Sequence, residues 1–283
     1  MKINKLSKIS NLKDGNRIYG VYHCYFKDQK KTRYGDPFLN LSLSDSSGNI
    51  NAKIWNNADY YNSKFDEGDI ICVKADTDIY RSKLVLNVLH IDRFKDDRYL
   101  TYGFNPNTLI PKLDIDVKNL WMEVSAYFSK TGNYKALIKS IHKEYKSEFL
   151  RFPFSMTIPS QKEQSYIFTI YKAFKIADLL LMDDFNKNMN RHLLYSMIFL
   201  NKFSNLTSYE KKITYSLKEE ALKRGEVNMF YGIFKKYKKT ISADDYFILE
   251  KSLFDSKSKD FQVESDAINN IFSLIESTMD KND

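Results

Sequence analysis

Two cysteines in 283 residues, Cys24 and Cys72, are too few for a disulfide framework or a cysteine-based zinc site, and they fit a reducing cytoplasm. Nine glycines and five prolines exclude collagen-like and low-complexity classes. No uncharged apolar run approaches the roughly 18 residues of a membrane span. The start, MKINKLSKISNLKDGNR, carries lysine every few residues with no apolar segment of the kind a secretion signal needs. Neither membrane insertion nor secretion is expected. His23, His90, His142 and His192 are scattered, without HExxH, HxH or HD spacing, and there is no P-loop, GxGxxG or GxSxG turn. No cofactor and no metal are expected.

What is present is a globular composition, 43% hydrophobic and 28% charged, long enough for two domains. The net charge of +8 is concentrated at one end: residues 1–35 hold nine Lys/Arg against Asp14 and Asp28. Such a surplus suits a polyanionic partner and equally suits plain solubility. The many Lys, Asn, Ile and Tyr also match an AT-rich coding sequence, which weakens the charge argument.

Up to about residue 95 the pattern alternates like strands; from about 115 it has helical periodicity and few glycines. The expected domains are therefore 1–98 and 115–283, joined by a linker over 99–114 containing Pro106 and Pro111. In the first, strands are expected over 17–27, 38–44, 49–55, 69–80 and 83–94, with a short helix after the third and a basic loop after the first. Three strands, a helix and two more strands is the order of an OB-fold, a five-stranded Greek-key barrel that often binds oligonucleotides.

Alternation places Leu39, Leu41 and Leu43 inside with Ile50, Ala52 and Ile54, and Phe38, Asn40, Ser42, Asn51, Lys53 and Trp55 outside. Aromatics on that outer face would stack bases, and loop cations would neutralise phosphates. The candidate nucleic-acid site comprises Lys30, Lys31, Arg33, Tyr34, Phe38, Asn40, Lys53, Trp55, Tyr80, Arg81 and Lys83. A lysine-rich loop is also an ordinary solvated surface, and Trp55 or Phe38 would serve as well in packing.

The second half is expected to be all-helical, with helices near 117–130, 134–152, 161–181, 187–204, 208–224, 226–237, 243–255 and 261–279. Its aromatic stripes, including Tyr127, Phe128, Tyr166, Phe168, Tyr171 and Phe174, have the spacing of core. Asp183–Asp184 and Asp244–Asp245 could bind a divalent cation, although helix capping is the plainer role for each.

GNRIYGVY, GDPFLNLSLSDSSGNINAKIW and FLRFP resemble the YhaM-type 3′–5′ exoribonucleases, in which an OB-fold precedes an HD-type metal phosphohydrolase domain. The resemblance covers most of the chain, strongly in the strand half. It implies metal ligands that this chain lacks: Pro159, Ser160 and Thr169 stand where the family has a histidine-rich segment, and Asn201 and Lys202 replace its His-Asp pair. Farther on, Leu249 and Ser252 replace His and Asp, while Asp255 and Lys257 are retained. A metal that activates water needs several converging His/Asp donors, so the chain is expected to be non-catalytic.

The expectation is a multidomain α and β protein: an OB barrel that binds single-stranded nucleic acid, RNA slightly favoured, followed by a degenerate HD-like helical domain for oligomerisation or partner docking. One alternative is a structural or regulatory subunit. Another is a diverged metal-dependent 3′–5′ exonuclease with a site rebuilt from Asp178, Asp183, Asp184 or Asp255.

Overall fold

Alternating apolar residues over Arg17–Lys31 form β1, a 15-residue strand long enough to pair with two partners. In the computed structural model, which describes residues 6–94, 104–157, 161–182, 188–212, 214–255 and 260–279, β1 pairs antiparallel with β2 (Pro37–Asp45) and β4 (Ile70–Tyr80). β2 continues to β3 (Gly48–Ile54), which meets β5 (Lys83–Arg93) in parallel, and β5 pairs with β4. The order β1-β2-β3-β5-β4 closes into a barrel. Closure removes free edges, and the interior is filled by side chains, as expected of a small barrel.

The interior follows the alternation: Leu39, Leu41, Leu43, Ala52 and Ile54 are buried, with Ile71, Ala75 and Leu86 from the other strands. A bulge between Cys24 and Phe26 resets the phase of β1 and turns Phe26 outward, opposite Ser42. Gly20 leaves room for the Tyr22 ring, because a Cβ there would stand 2.1 Å from it, and the Tyr22 hydroxyl donates to the Ser7 carbonyl at 2.9 Å. Helix α1 (Ala58–Asn62) adds Ala58 and Tyr61 to the core, with Phe65 just beyond. β4 and β5 turn at Arg81–Ser82, both at positive φ, the conformation that matches the twist of a hairpin.

By its internal contacts the chain divides into Met1–Pro111 with Thr157–Gln161, and Lys112–Met156 with Lys162–Asp283. Part of the expected linker belongs to the first unit: Leu109 and Ile110 are buried, and the Ser46 amide donates to the Thr108 carbonyl.

The described helices of the second unit are α2 (Val117–Ala126), α3 (Lys135–Glu144), α4 (Lys146–Arg151), α5 (Ser165–Leu180), α6 (Arg191–Leu200), α7 (Phe203–Ser208), α8 (Glu219–Arg224), α9 (Glu226–Lys236), α10 (Ala243–Phe254) and α11 (Gln262–Met279). Every residue of α6 from Leu193 to Leu200 is buried, which makes it the central helix of the packing. Tyr127 stacks on Phe174 at 4.3 Å and Phe128 on Phe199 at 4.5 Å. The aromatic stripes are core at these positions, while Phe168 and Tyr171 are half-buried.

Three expected helices differ from those observed. The one over 134–152 breaks at Tyr145, and the one over 187–204 breaks where Lys202 enters the left-handed region. The one over 208–224 is replaced at its start by a hairpin, β6 (Tyr209–Lys211) and β7 (Tyr215–Leu217). Glu163, distant in sequence, accepts from Lys211 Nζ at 2.5 Å and Tyr215 Oη at 2.9 Å, and this long-range anchoring overrides local helical periodicity. No helix among the described residues is long and apolar enough to cross a membrane.

Candidate nucleic-acid interface

Cross-strand pairing carries the outer face of β2 and β3 into rows. Lys30 lies opposite Phe38, Asp28 opposite Asn40, and Asn40 opposite Lys53. Phe38 and Trp55 stack with ring centres 4.9 Å apart and planes 28° from parallel. Lys53 Nζ stands 4.9 Å from the Trp55 ring and 4.7 Å from Tyr80, with Phe38 at 5.9 Å. Trp55 Nε1 donates to Asn87 Oδ1 at 3.1 Å, and Asn87 Nδ2 donates to Asp78 at 3.3 Å. These contacts hold the indole in place while leaving it 44% exposed; Tyr80 is 50% exposed.

The arrangement juxtaposes aromatic surface and positive charge. No ion pair involves Lys53 among the described residues, so its ammonium is held by ring faces and is available to an anion. Exposed rings beside an unneutralised cation are what a single strand requires, with bases stacking and phosphates pairing. The Arg81 guanidinium lies 5.3 Å from the Tyr80 ring, and Lys83 is exposed opposite Tyr80 across the turn.

Lys30 and Lys31 are not in a loop, as the sequence suggests, but at the end of β1, opposite Phe38 and Pro37. The strand continues because Lys27–Lys31 have partners in β2 and the connection tightens to 32–36. There the Thr32 amide donates to the Asp36 carbonyl, and Thr32 Oγ1 accepts from the Tyr34 and Asp36 amides. Alternation then puts Lys30 on the Phe38 face and Lys31 on the other. Lys30 faces Asp28 at 3.4 Å, which offsets part of its charge. Arg33 and Tyr34 are exposed at the hairpin tip, Tyr34 at 94%, and no described contact joins them to the Lys53 cluster. Phe38, Lys53, Trp55, Tyr80 and Arg81 thus come together, and Lys31, Arg33 and Tyr34 stand apart. Asn87, which orients Trp55, is absent from the sequence-based set because the parallel β3–β5 pairing that places it has no local signal.

In the second unit Asp178 accepts from Tyr127 Oη at 2.6 Å, Tyr195 Oη at 2.5 Å and Lys130 Nζ at 2.7 Å. Burial works to raise its pKa, but these bonds outweigh burial and hold the carboxyl below the usual carboxylate range. Asp178 ties three elements together. Asp244 and Asp245 lie in the first turn of α10, where Ser242 Oγ accepts from the Asp245 amide at 3.1 Å, so capping accounts for that pair. Asp183, Asp184, Pro159, Ser160 and Lys257 lie outside the described residues.

The positions to which the resemblance assigns a metal do not fit one. Thr169 and Leu249 are fully buried, and Asn201 closes α6, its carbonyl accepting from Tyr166 Oη at 2.6 Å. Lys202 pairs with Glu276 at 2.6 Å, and an ammonium there opposes a cation. No cluster of three or more His, Cys, Asp or Glu suited to a metal occurs among the described residues. No chemical step is therefore routed through a metal at these positions.

Residues 27–93 match the family model described as an OB-fold nucleic acid binding domain. Over 215 residues the chain is 22% identical to the 3′-5′ exoribonuclease YhaM of Listeria welshimeri, covering 75% of this chain and 66% of that protein. The Bacillus subtilis protein of the same name is 19% identical over 217 residues, covering 76% and 67%, and that of Listeria monocytogenes EGD-e 24% over 170, covering 59% and 52%. The matches thus span about half to two-thirds of the relatives' length. Among solved structures, the second OB-fold domain of replication protein A from Methanococcus maripaludis is 21% identical, with a TM-score of 0.28, covering 33% of this chain and 98% of that one.

These names overturn the expectation of a non-catalytic protein: relatives matched over most of the chain are named exoribonucleases. Residue-by-residue comparison of a helical half matched only in apolar pattern is too weak a basis for subtracting an activity, and several acidic candidates lie outside the described residues. The chain carries an N-terminal OB-fold barrel and is similar, over three-quarters of its length, to proteins named 3′-5′ exoribonuclease YhaM.

Proposed function

We propose that the protein binds single-stranded RNA across the outer face of the barrel and acts on it in 3′–5′ exoribonucleolytic processing. The observation that carries the binding half is Lys53, held among Phe38, Trp55 and Tyr80 without a carboxylate partner among the described residues. Lys30, Arg81 and Lys83 flank this centre, Asn40 lies between Asp28 and Lys53, and Lys31, Arg33 and Tyr34 extend the basic surface along the β1–β2 hairpin. The printed names of the relatives support RNA as the strand and the 3′ end as the point of attack.

Titration with labelled 20-nucleotide RNA and DNA at two salt concentrations, with Mn²⁺ present and products resolved on a gel, tests both halves. Salt-sensitive binding with shortening from the 3′ end is expected. Lys53→Met should lower the salt slope by about 0.7, the value for one phosphate contact on a single strand. An unchanged slope removes Lys53 from the site, and an intact oligonucleotide removes the exonuclease half.

A second role, assembly through the helical unit, is favoured by Val227, Phe247 and Val263, which are 62%, 60% and 53% exposed. Light scattering that gives a monomer at working concentration counts against it.

A further inference from the structure

A cavity of about 650 Å³ opens in the helical unit where α6 passes into α7 and meets α9, α10 and α11. Its volume is in the range of small-molecule sites, and its walls divide by chemistry. Phe203, Phe230 and Phe254 form an aromatic side, with ring centres 5.4 Å and 5.2 Å apart in sequence. Asn201, Gln262 and Asn269 supply amides, and Ser204, Ser252 and Ser265 supply hydroxyls.

Charge is scarce. Lys202 and Asp255 are the charged residues among the described lining, and the Lys202 ammonium is engaged by Glu276 at 2.6 Å and lies 4.4 Å from the Phe154 ring. A phosphate would find no uncommitted cation there. Asn201 Oδ1 is buried with no hydrogen-bond partner, an acceptor left uncompensated at the wall. Rotation of the amide about χ2 brings it toward the cavity, where a ligand N–H would satisfy it. Aromatic surface for a flat ring, amides and hydroxyls for a donor–acceptor edge, and no free cation define a neutral, planar heterocycle.

We infer that this cavity binds a nucleobase, with any attached phosphate left in solvent. The base comes either from a free nucleoside or from the end of an RNA strand; in the second case the inference rests on the proposed RNA-binding function.

Calorimetric titration of the full chain with adenosine, adenosine 5′-monophosphate and ribose 5-phosphate tests recognition of the base. Saturable binding of adenosine, within about threefold of the monophosphate, and none of ribose 5-phosphate is expected for a free nucleoside. A strand source is read from a decanucleotide RNA with an intact or an abasic 3′-terminal residue, the intact form binding at least fivefold more tightly. Ser265→Trp, which fills the cavity from α11, and Asn201→Leu should each abolish whichever preference is found, with circular dichroism confirming the fold. Lys53→Met should weaken the oligonucleotide without changing the intact-to-abasic ratio, so failure of the barrel site and failure of the cavity are distinguishable. Equal binding of ribose 5-phosphate and adenosine overturns the inference. So does the absence of both preferences, or their survival in two folded cavity variants.

Discussion

Trp55 is the residue at which packing and binding come closest together. Its ring is braced by Phe38 and Asn87, yet nearly half of it faces solvent and it adds nothing to the barrel interior. Trp55→Ala should therefore cost about 1–3 kcal/mol of single-strand binding by loss of stacking, with the thermal midpoint of the barrel nearly unchanged. Unfolding instead would make it a core residue. His142 is the opposite case. It is buried among Phe128, Phe149, Phe199 and Phe203, with Nε2 at 3.3 Å from the Phe199 carbonyl oxygen, and burial lowers its pKa from 6.5 to about 3. The unfolded chain protonates this histidine below about pH 6.5 while the fold keeps it neutral, so the stability it confers is full above that value and is lost as pH falls toward 3. By pH 4.5 the loss should be about 2–3 kcal/mol. Denaturant titrations at pH 7 and 4.5 should show that His142→Leu removes this share of the acid sensitivity.

At the scale of elements, breaks matter more than runs. Gly132, at φ 53° and ψ −127°, lies within the 3-10 stretch Tyr127–Tyr134, and a Cβ there would meet the His192 ring at 2.6 Å. His192 Nδ1 is in turn 2.9 Å from the Lys130 carbonyl oxygen, so the ring has little freedom to yield. Gly132→Ala should destabilise the helical unit by about 1–3 kcal/mol, from backbone strain together with the clash, measured by chemical denaturation. The same logic explains which elements were legible. Leu39–Leu41–Leu43 and Ile50–Ala52–Ile54 alternate because one side of each strand is buried, and both strands and faces follow from that. The hairpin β6–β7 was not legible, because its anchor at Glu163 is nearly 50 residues upstream of Lys211.

At the scale of the molecule, two compact units give a ligand two possible ways to act on stability. An oligonucleotide that binds only the folded barrel, at 100 times its Kd, should stabilise that fold by about 2.7 kcal/mol. If the units unfold independently, calorimetry with saturating single-stranded RNA should move one transition and leave the other in place. Movement of both by the same amount would mean that the units unfold as one.

The sequence by itself determined the strand order, the inner and outer faces of β2 and β3, the candidacy of Phe38, Lys53 and Trp55, and the resemblance that the relatives bear out. Each rests on periodicity or on residues close together in the chain. Tertiary structure decided that Lys30 and Lys31 belong to a strand, that Tyr80 and Asn87 complete the surroundings of Lys53 and Trp55, and that Asn201 and Phe254 line one cavity. These are meetings of side chains far apart in sequence, brought about by barrel closure and helix packing, and no local pattern encodes them.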